Sequence, residues 1–500
     1  MPNGLDSNQK PACSEGAPPP HFLSVFPSLM LPMFLAVVDQ TIIATALPAI
    51  AAATGEVERA SWVVVSYLIA ATVAAPIYGR LGDSFGRRRM MYVALAVFIV
   101  ASLLCAMSST ILWLTAARVL QGLGGGGLMT LSQALIGEAI PPRERARYQG
   151  YIATIAVSAN SFGPVAGGYL TEHFGWQSIF LVNVPIGLLA LALTMRLPQA
   201  RGERLPWRAD PAGFVLFTIF VGTTLLALEQ AQHADLSALP LGGALLAVGI
   251  ISVVLLVRQE TRTPSPLIPV HLLRQSAIWH SDALAACHGA ALVSLITFLP
   301  VYLQVVRDIS PSETGLLLVP LTVGIGTGSL ITGRFVSRTG RTMIFPVFGL
   351  VLLTISLVGL AFTAGTLSMT AFAVMLLWIG LLMGTVMAVV QVTVQSAAGS
   401  QRLGEAAASV QFSRSIGAAF GTALVATVLF AYLALKNPDA ARAFAVMVEG
   451  GMAAVSKLPA IDFATVQADI AEAFRAAFLL IAGFTAGGFF LALTNPMRRI

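Results

Sequence analysis

Apolar residues in this chain fall in long unbroken runs, and the charged residues are largely confined to the gaps between them. Runs long enough to cross a ~30 Å hydrocarbon layer as helices lie near 23–51, 62–79, 91–109, 111–137, 150–171, 179–197 and 212–230. A second set lies near 238–257, 277–305, 314–334, 344–364, 369–396, 406–433 and 473–495. Helices rather than barrel strands follow, because the runs do not alternate and a helix satisfies its own backbone hydrogen bonds in lipid. The pattern predicts an all-α polytopic membrane protein with 14 transmembrane helices, an even number that places both termini on one side.

The distribution of Lys and Arg says which side. With the N-terminus in the cytoplasm, only Arg59, Arg307, Lys436, Arg442, Lys457 and Arg475 of the 29 basic residues fall outside, while Arg118 and Arg414 lie within spans. Such a bias predicts cytoplasmic termini and makes the net charge of +6 a topology signal, with no nucleic-acid partner implied. Residues 1–21, with Pro18-Pro19-Pro20, read as a disordered cytoplasmic tail. A six-helix bundle is expected over 22–197, two additional helices with their loops over 198–275, and a second six-helix bundle over 276–497. A hydrophobic content of 56%, a charged content of 10% and a mean hydropathy of +0.82 exclude a soluble globule.

Little else in the composition suggests chemistry. Cys13, Cys105 and Cys287 form no disulfide framework or metal spacing, and no cofactor is expected. Gly122 to Gly127 contains G-x-G-x-x-G, but inside an apolar run that opens no strand-turn-helix unit. No phosphate-binding G-x-x-x-x-G-K-[ST] sequence occurs, and no nucleophile-base cluster gathers at an interface, so neither an ATP-driven pump nor an enzyme is supported.

Two stretches repeat. Gly79-Arg80-Leu81-Gly82-Asp83-Ser84-Phe85-Gly86-Arg87-Arg88-Arg89 has a fainter copy from Gly333 to Arg341, an offset of 254 residues, and the same offset lays Gly163 on Gly417 and Gly167 on Gly421. A parallel internal repeat in so apolar a chain marks a secondary transporter with two rocking halves. Asp39 lies twelve residues beyond Pro27, roughly 18 Å into the layer, and Arg118 seven residues beyond Ile111, roughly 10 Å from the opposite face. Their depths match. Ionisable groups so deep are costly and face a cavity or each other, so Asp39 and Arg118 are read as a proton-coupling pair, with a static brace between the first and fourth spans as the alternative. Gln121, His288, Gln391 and Arg414 are candidates for cavity lining or gating, and Asp282 is a further buried carboxylate.

Several of these motifs together resemble the major facilitator superfamily. Gly79 to Arg89 is similar to its loop signature, and Leu114-x-x-x-Arg118-x-x-Gln121-Gly122 to its fourth-helix motif. Gly163-Pro164-x-x-Gly167-Gly168, with Gly150 upstream, resembles the antiporter motif of drug exporters. Asp39-x-Thr41 with Ala46-Leu47-Pro48, and Phe180-Leu181-x-Asn183-x-Pro185-x-Gly187, resemble the fourteen-span EmrB/QacA branch. Ala159, Gln177-Ser178 and Ser337 depart from the family pattern.

The resemblance implies two pseudo-symmetric six-helix bundles plus two extra central helices. It also implies proton-coupled multidrug efflux from the cytoplasmic (inner) membrane, exchanging inward protons for amphipathic, often cationic compounds by alternating access. Gly79, Arg80, Asp83, Gly86, Arg87 and Arg88 would then form a conformational latch, Asp83 meeting a helix start near Gly404, and Gly163, Pro164, Gly167 and Gly168 a seal against proton leak. A periplasmic adaptor is a partner the EmrB type allows. An uptake transporter for siderophores or basic amino acids, or a membrane subunit of an adaptor-linked assembly, are the alternatives.

Overall fold

The computed structural model describes residues 22–56, 59–197, 210–232, 239–263, 266, 270–450 and 463–500. The tail over 1–21 lies outside the described residues. Seventeen α-helices and no strands occur among the described residues. In chain order they are α1 Phe22–Thr54, α2 Ser61–Phe85, α3 Arg87–Ala106, α4 Ile111–Ala139, α5 Pro142–Phe174, α6 Ser178–Leu181, α7 Asn183–Thr194, α8 Pro211–Gln232 and α9 Leu239–Arg262. There follow α10 Val270–Leu273, α11 Ser276–Val305, α12 Pro311–Thr339, α13 Ile344–Thr363, α14 Met369–Ala398, α15 Leu403–Lys436, α16 Pro438–Gly450 and α17 Phe463–Thr494.

Among the described residues, eleven helices are long and apolar enough to cross a membrane. Glycines dilute the apolar character of α4 and charged residues that of α5, while α6 and α7 are too short one by one. The expected single helix over 179–197 is interrupted at Val182. Pro185 is the cause, since it has no N–H for the carbonyl of Leu181 four residues earlier. Helix α16 was not expected from hydropathy, because it is amphipathic and short.

Two bundles result. In the first, α1 packs on α5 and α2 and α3 on α4; in the second, α11 packs on α15, α12 on α14, and α13 and α11 on α17. The repeat is visible in this packing. Gly163 and Gly167 of α5 lie against Thr41, Ile42 and Thr45 of α1, and their copies Gly417 and Gly421 of α15 lie against Ala286 and Ala290 of α11. Helices α8 and α9 pair with each other, and α8 touches α2 and α15, its Phe217 ring 5.3 Å from that of Phe412. Large apolar side chains such as Ile250, Phe348 and Val100 are exposed on the outer faces, as lipid-facing residues are.

The glycine run of α4 is a packing surface. A side chain at Gly122 or Gly126 would collide with the α2 backbone at Tyr67 and Ala71, and one at Gly124 would sit 2.8 Å from the Phe98 backbone of α3. We expect Gly126→Leu to force α2 from α4 at a cost of about 1–3 kcal/mol. It should lower the thermal midpoint of the detergent-solubilised protein; an unchanged midpoint contradicts the packing role.

Candidate functional site

Close approach of α2 to α4 places the Tyr67 ring against Arg118, its guanidinium carbon 4.2 Å from the ring centroid. On its other side Arg118 meets Asp39, with Nη1 donating to Oδ2 at 2.6 Å. Gln121 lies one turn along α4 and donates to Asp39 Oδ1 at 2.8 Å, as does Asn183 of α7 at 2.7 Å. Arg118 also donates to Gln121 Oε1 and to the Val63 carbonyl, while Gln121 donates to Ser102 of α3. Asp39, Arg118, Gln121, Asn183 and Ser102 are all 0% exposed, so the cluster is closed to solvent on every side. It ties five elements, α1, α2, α3, α4 and α7, around one carboxylate. Gln121, expected at the cavity or a gate, belongs here because three residues along a helix keep it on the face of Arg118. Asn183 was quoted only as part of a motif; its place beside the break before α7 is what turns its amide inward.

The two bundles meet at the end carrying the Gly79–Arg89 loop. Asp83 accepts from the backbone N–H groups of Gly404 and Glu405 at 3.0 Å each, at the start of α15 where the helix dipole favours an anion. Arg87 pairs with Asp83 at 2.7 Å and with Glu138 at 2.6 Å, and donates to the carbonyls of Ser400 and Gln401. Arg80 pairs with Glu405 across the same interface. Gly79 leaves room for α15, since a side chain there would lie 2.9 Å from the Ala408 Cβ. Gly86 separates α2 from α3 at φ +103°, where a side chain would be strained.

Arg88 does not join these contacts between the bundles. One residue further round α3, it donates instead to the carbonyls of Met195 and Leu197 past the end of α7, within its own bundle. Nor is there an equivalent charge in the repeat: Ser337 donates to the Arg334 carbonyl of its own helix. Around the pseudo-axis, Gly333 of α12 does meet Ala146 and Arg147 of α5, the counterpart of Gly79 meeting α15.

The residues from Gly150 to Gly168 are divided by the fold between two contacts. Gly163 and Gly167 bring α5 onto α1 beside Asp39, and Thr41 Oγ1 donates to the Ala159 carbonyl at 3.4 Å. Pro164 lies inside α5 without breaking it, and a side chain at Gly168 would meet nothing within 4 Å. Gly150 serves a different contact, in the seam between the bundles, where a Cβ added to it would lie 2.8 Å from Leu330 Cα of α12. Gln395 of α14 donates across that seam to the Gln133 carbonyl.

Between the bundles lies a cavity bounded by α1, α4 and α5 on one side and α11, α12, α14 and α15 on the other. Its walls are mostly apolar and rich in methionine, with Met30, Met33, Met129, Met383 and Met387. Thioethers adapt to ligands of varied shape. His288, Gln391 and Arg414 line it, as do Gln133 and Gln149, which bond to each other at 2.6 Å and were not anticipated from sequence. His288 Nε2 donates to the Met383 carbonyl at 3.1 Å. Asp39 and Arg118 are not among the lining residues. Asp282, on α11, accepts from Ser409 and is also outside the lining.

Known proteins share this architecture. The structure resembles that of the human organic anion transporter TETRAN with a TM-score of 0.65 at 14% identity, covering 95% of this chain and all of that one. It also resembles the proton:xylose symporter XylE with a TM-score of 0.62 at 12% identity, covering 95% and 96% of the two chains. In sequence the chain is 32% identical over 478 residues to an uncharacterized MFS-type transporter of Mycobacterium tuberculosis, covering 94% of this chain and 69% of that protein. It is 31% identical over 411 residues to the multidrug transporter protein MdtP of Bacillus subtilis, covering 80% and 74%. With the Major Facilitator Superfamily model matching residues 29–422, the chain belongs to that superfamily and is a multi-pass membrane transporter, not an enzyme.

Proposed function

We propose that the protein exports amphipathic compounds from the cytoplasm in exchange for protons, by alternating access at the cavity between its bundles. In this reading all fourteen apolar segments span the cytoplasmic membrane, α6 and α7 forming one broken span, and the latch end faces the cytoplasm together with both termini. The contacts of Gly79, Asp83, Gly150, Gly333 and Gln395 close that end, so the state described is the outward-facing one. Kinship to proteins named multidrug transporter and efflux pump supports export.

The observation that carries proton coupling is the enclosure of Asp39 next to, but outside, the cavity wall. Helix α1 bears Asp39 and also Met30, Met33 and Val37 of the cavity. A proton on Asp39 cancels the charge that holds Arg118, Gln121 and Asn183, and the resulting loosening of α1 is felt where substrate sits. Saturation of Asp39 by three donors also suits the second reading, a static brace. The two part in vesicles carrying the purified protein: an imposed pH gradient should drive uptake into inverted vesicles of a fluorescent amphiphile, whereas a brace alone gives no dependence on the gradient.

A further inference from the structure

Arg414 stands on α15, one turn beyond Gln411, and lines the cavity with partial exposure. Among the described residues its guanidinium has no hydrogen-bond or ion-pair partner, and no Asp or Glu occurs among the residues lining the cavity. Asp282, the buried carboxylate of the facing helix α11, bonds to Ser409 and stays outside the lining. Two further lining residues, each 4% exposed, keep polar atoms without a partner: His288 Nδ1 and Gln391 Nε2. A carbonyl accepts, so His288 Nε2 carries the hydrogen toward Met383, and in the neutral ring Nδ1 is left as an acceptor.

We infer that the cavity is an organic-anion site, in which Arg414 binds the carboxylate or sulfonate of an amphipathic substrate whose apolar body lies on the methionines. Resting on the reading of this cavity as the transport site, the inference replaces the expectation of cationic substrates with a definite charge class. A guanidinium in an apolar cavity is costly unless an anion meets it. Its planar fork matches two acidic oxygens at once. Gln391 Nε2 adds a donor to the same acid group, and His288 Nδ1 suits a hydroxyl or amide hydrogen beside it. A cationic compound finds no counter-charge on these walls and is repelled by Arg414.

The test is a matched pair of probes with one aromatic body and opposite charge, 1-naphthaleneacetate and 1-naphthylmethylammonium. Binding of each to the full chain in lipid nanodiscs is measured by calorimetry at neutral pH, for the wild type, Arg414→Gln and Arg414→Lys. We expect the acetate to bind the wild type about tenfold more tightly, a single good charge-assisted contact. The Gln variant should lose the preference while still binding the ammonium, which shows it is folded, and the Lys variant should keep part of it. Equal or tighter binding of the ammonium to the wild type, no saturable binding of the acetate, or an unchanged ratio in a folded Arg414→Gln overturns the inference. The wild-type ratio decides should the Gln variant fail to fold. Because binding needs no gradient, an anion preference without proton-driven efflux sinks only the export reading. Proton-driven efflux of the ammonium in preference to the acetate sinks only the anion site.

Discussion

Asp39→Asn should abolish proton-driven transport while leaving substrate affinity within a few-fold of wild type. The amide keeps the shape of the carboxylate and can still accept from Gln121 or Asn183, but it cannot take up and release a proton. Substrate binding survives because Asp39 is not part of the cavity wall. The variant should therefore still equilibrate substrate across a vesicle membrane, yet fail to accumulate it against a gradient. The cost is chiefly to coupling, with some loss of stability because Arg118 is left buried without its counter-charge, a change of about 3–5 kcal/mol for a broken buried pair. Full accumulation by Asp39→Asn in the vesicle assay would place the coupling carboxylate elsewhere, with Asp282 the next to substitute.

Asp83→Asn should act on the conformational equilibrium instead. In the closed latch the Asp83 carboxylate receives two backbone N–H bonds from α15 and the Arg87 guanidinium, and its side chain is fully buried. Neutralising it weakens the two bonds to α15, which form only while the bundles are joined at this end. A loss of about 3 kcal/mol shifts the balance between the two facing states by roughly a hundredfold. Spin labels replacing Arg147 on α5 and Arg338 on α12, both exposed at the latch end, should report a lengthened distance in the Asp83→Asn protein. Affinity changes only as far as substrate distinguishes the two states. An unaltered distance distribution together with lost binding would show that Asp83 acts on the substrate and not on the closure.

Depth along a helix can be read from a sequence, and azimuth around it only in part. Residue counts from Pro27 and Ile111 put Asp39 and Arg118 at matching levels, and the structure has them 2.6 Å apart. Gln121 shares the Arg118 face by simple helical spacing, and that signal was available. What hydropathy conceals is which neighbour each face meets. Arg87 and Arg88 are adjacent in sequence, yet one faces α15 and the other the end of α7. Arg414 could be named as a candidate for the cavity or a gate, but which of the two, and with what neighbours, depends on how seven helices from two bundles converge. Pro185 announces the break at Val182, whereas α16 has too few apolar residues in a row to stand out.

The claim that proton and substrate occupancy alternate is tested most directly by proton release from the purified protein in lightly buffered detergent solution. The fluorescent amphiphile of the vesicle assay is added to wild type and to Asp39→Asn, and the pH change is followed with an indicator dye. Exchange predicts that the wild type releases protons on saturation with substrate, and that Asp39→Asn binds the same probe and releases none. Binding without proton release in the wild type, or equal release from both proteins, contradicts it.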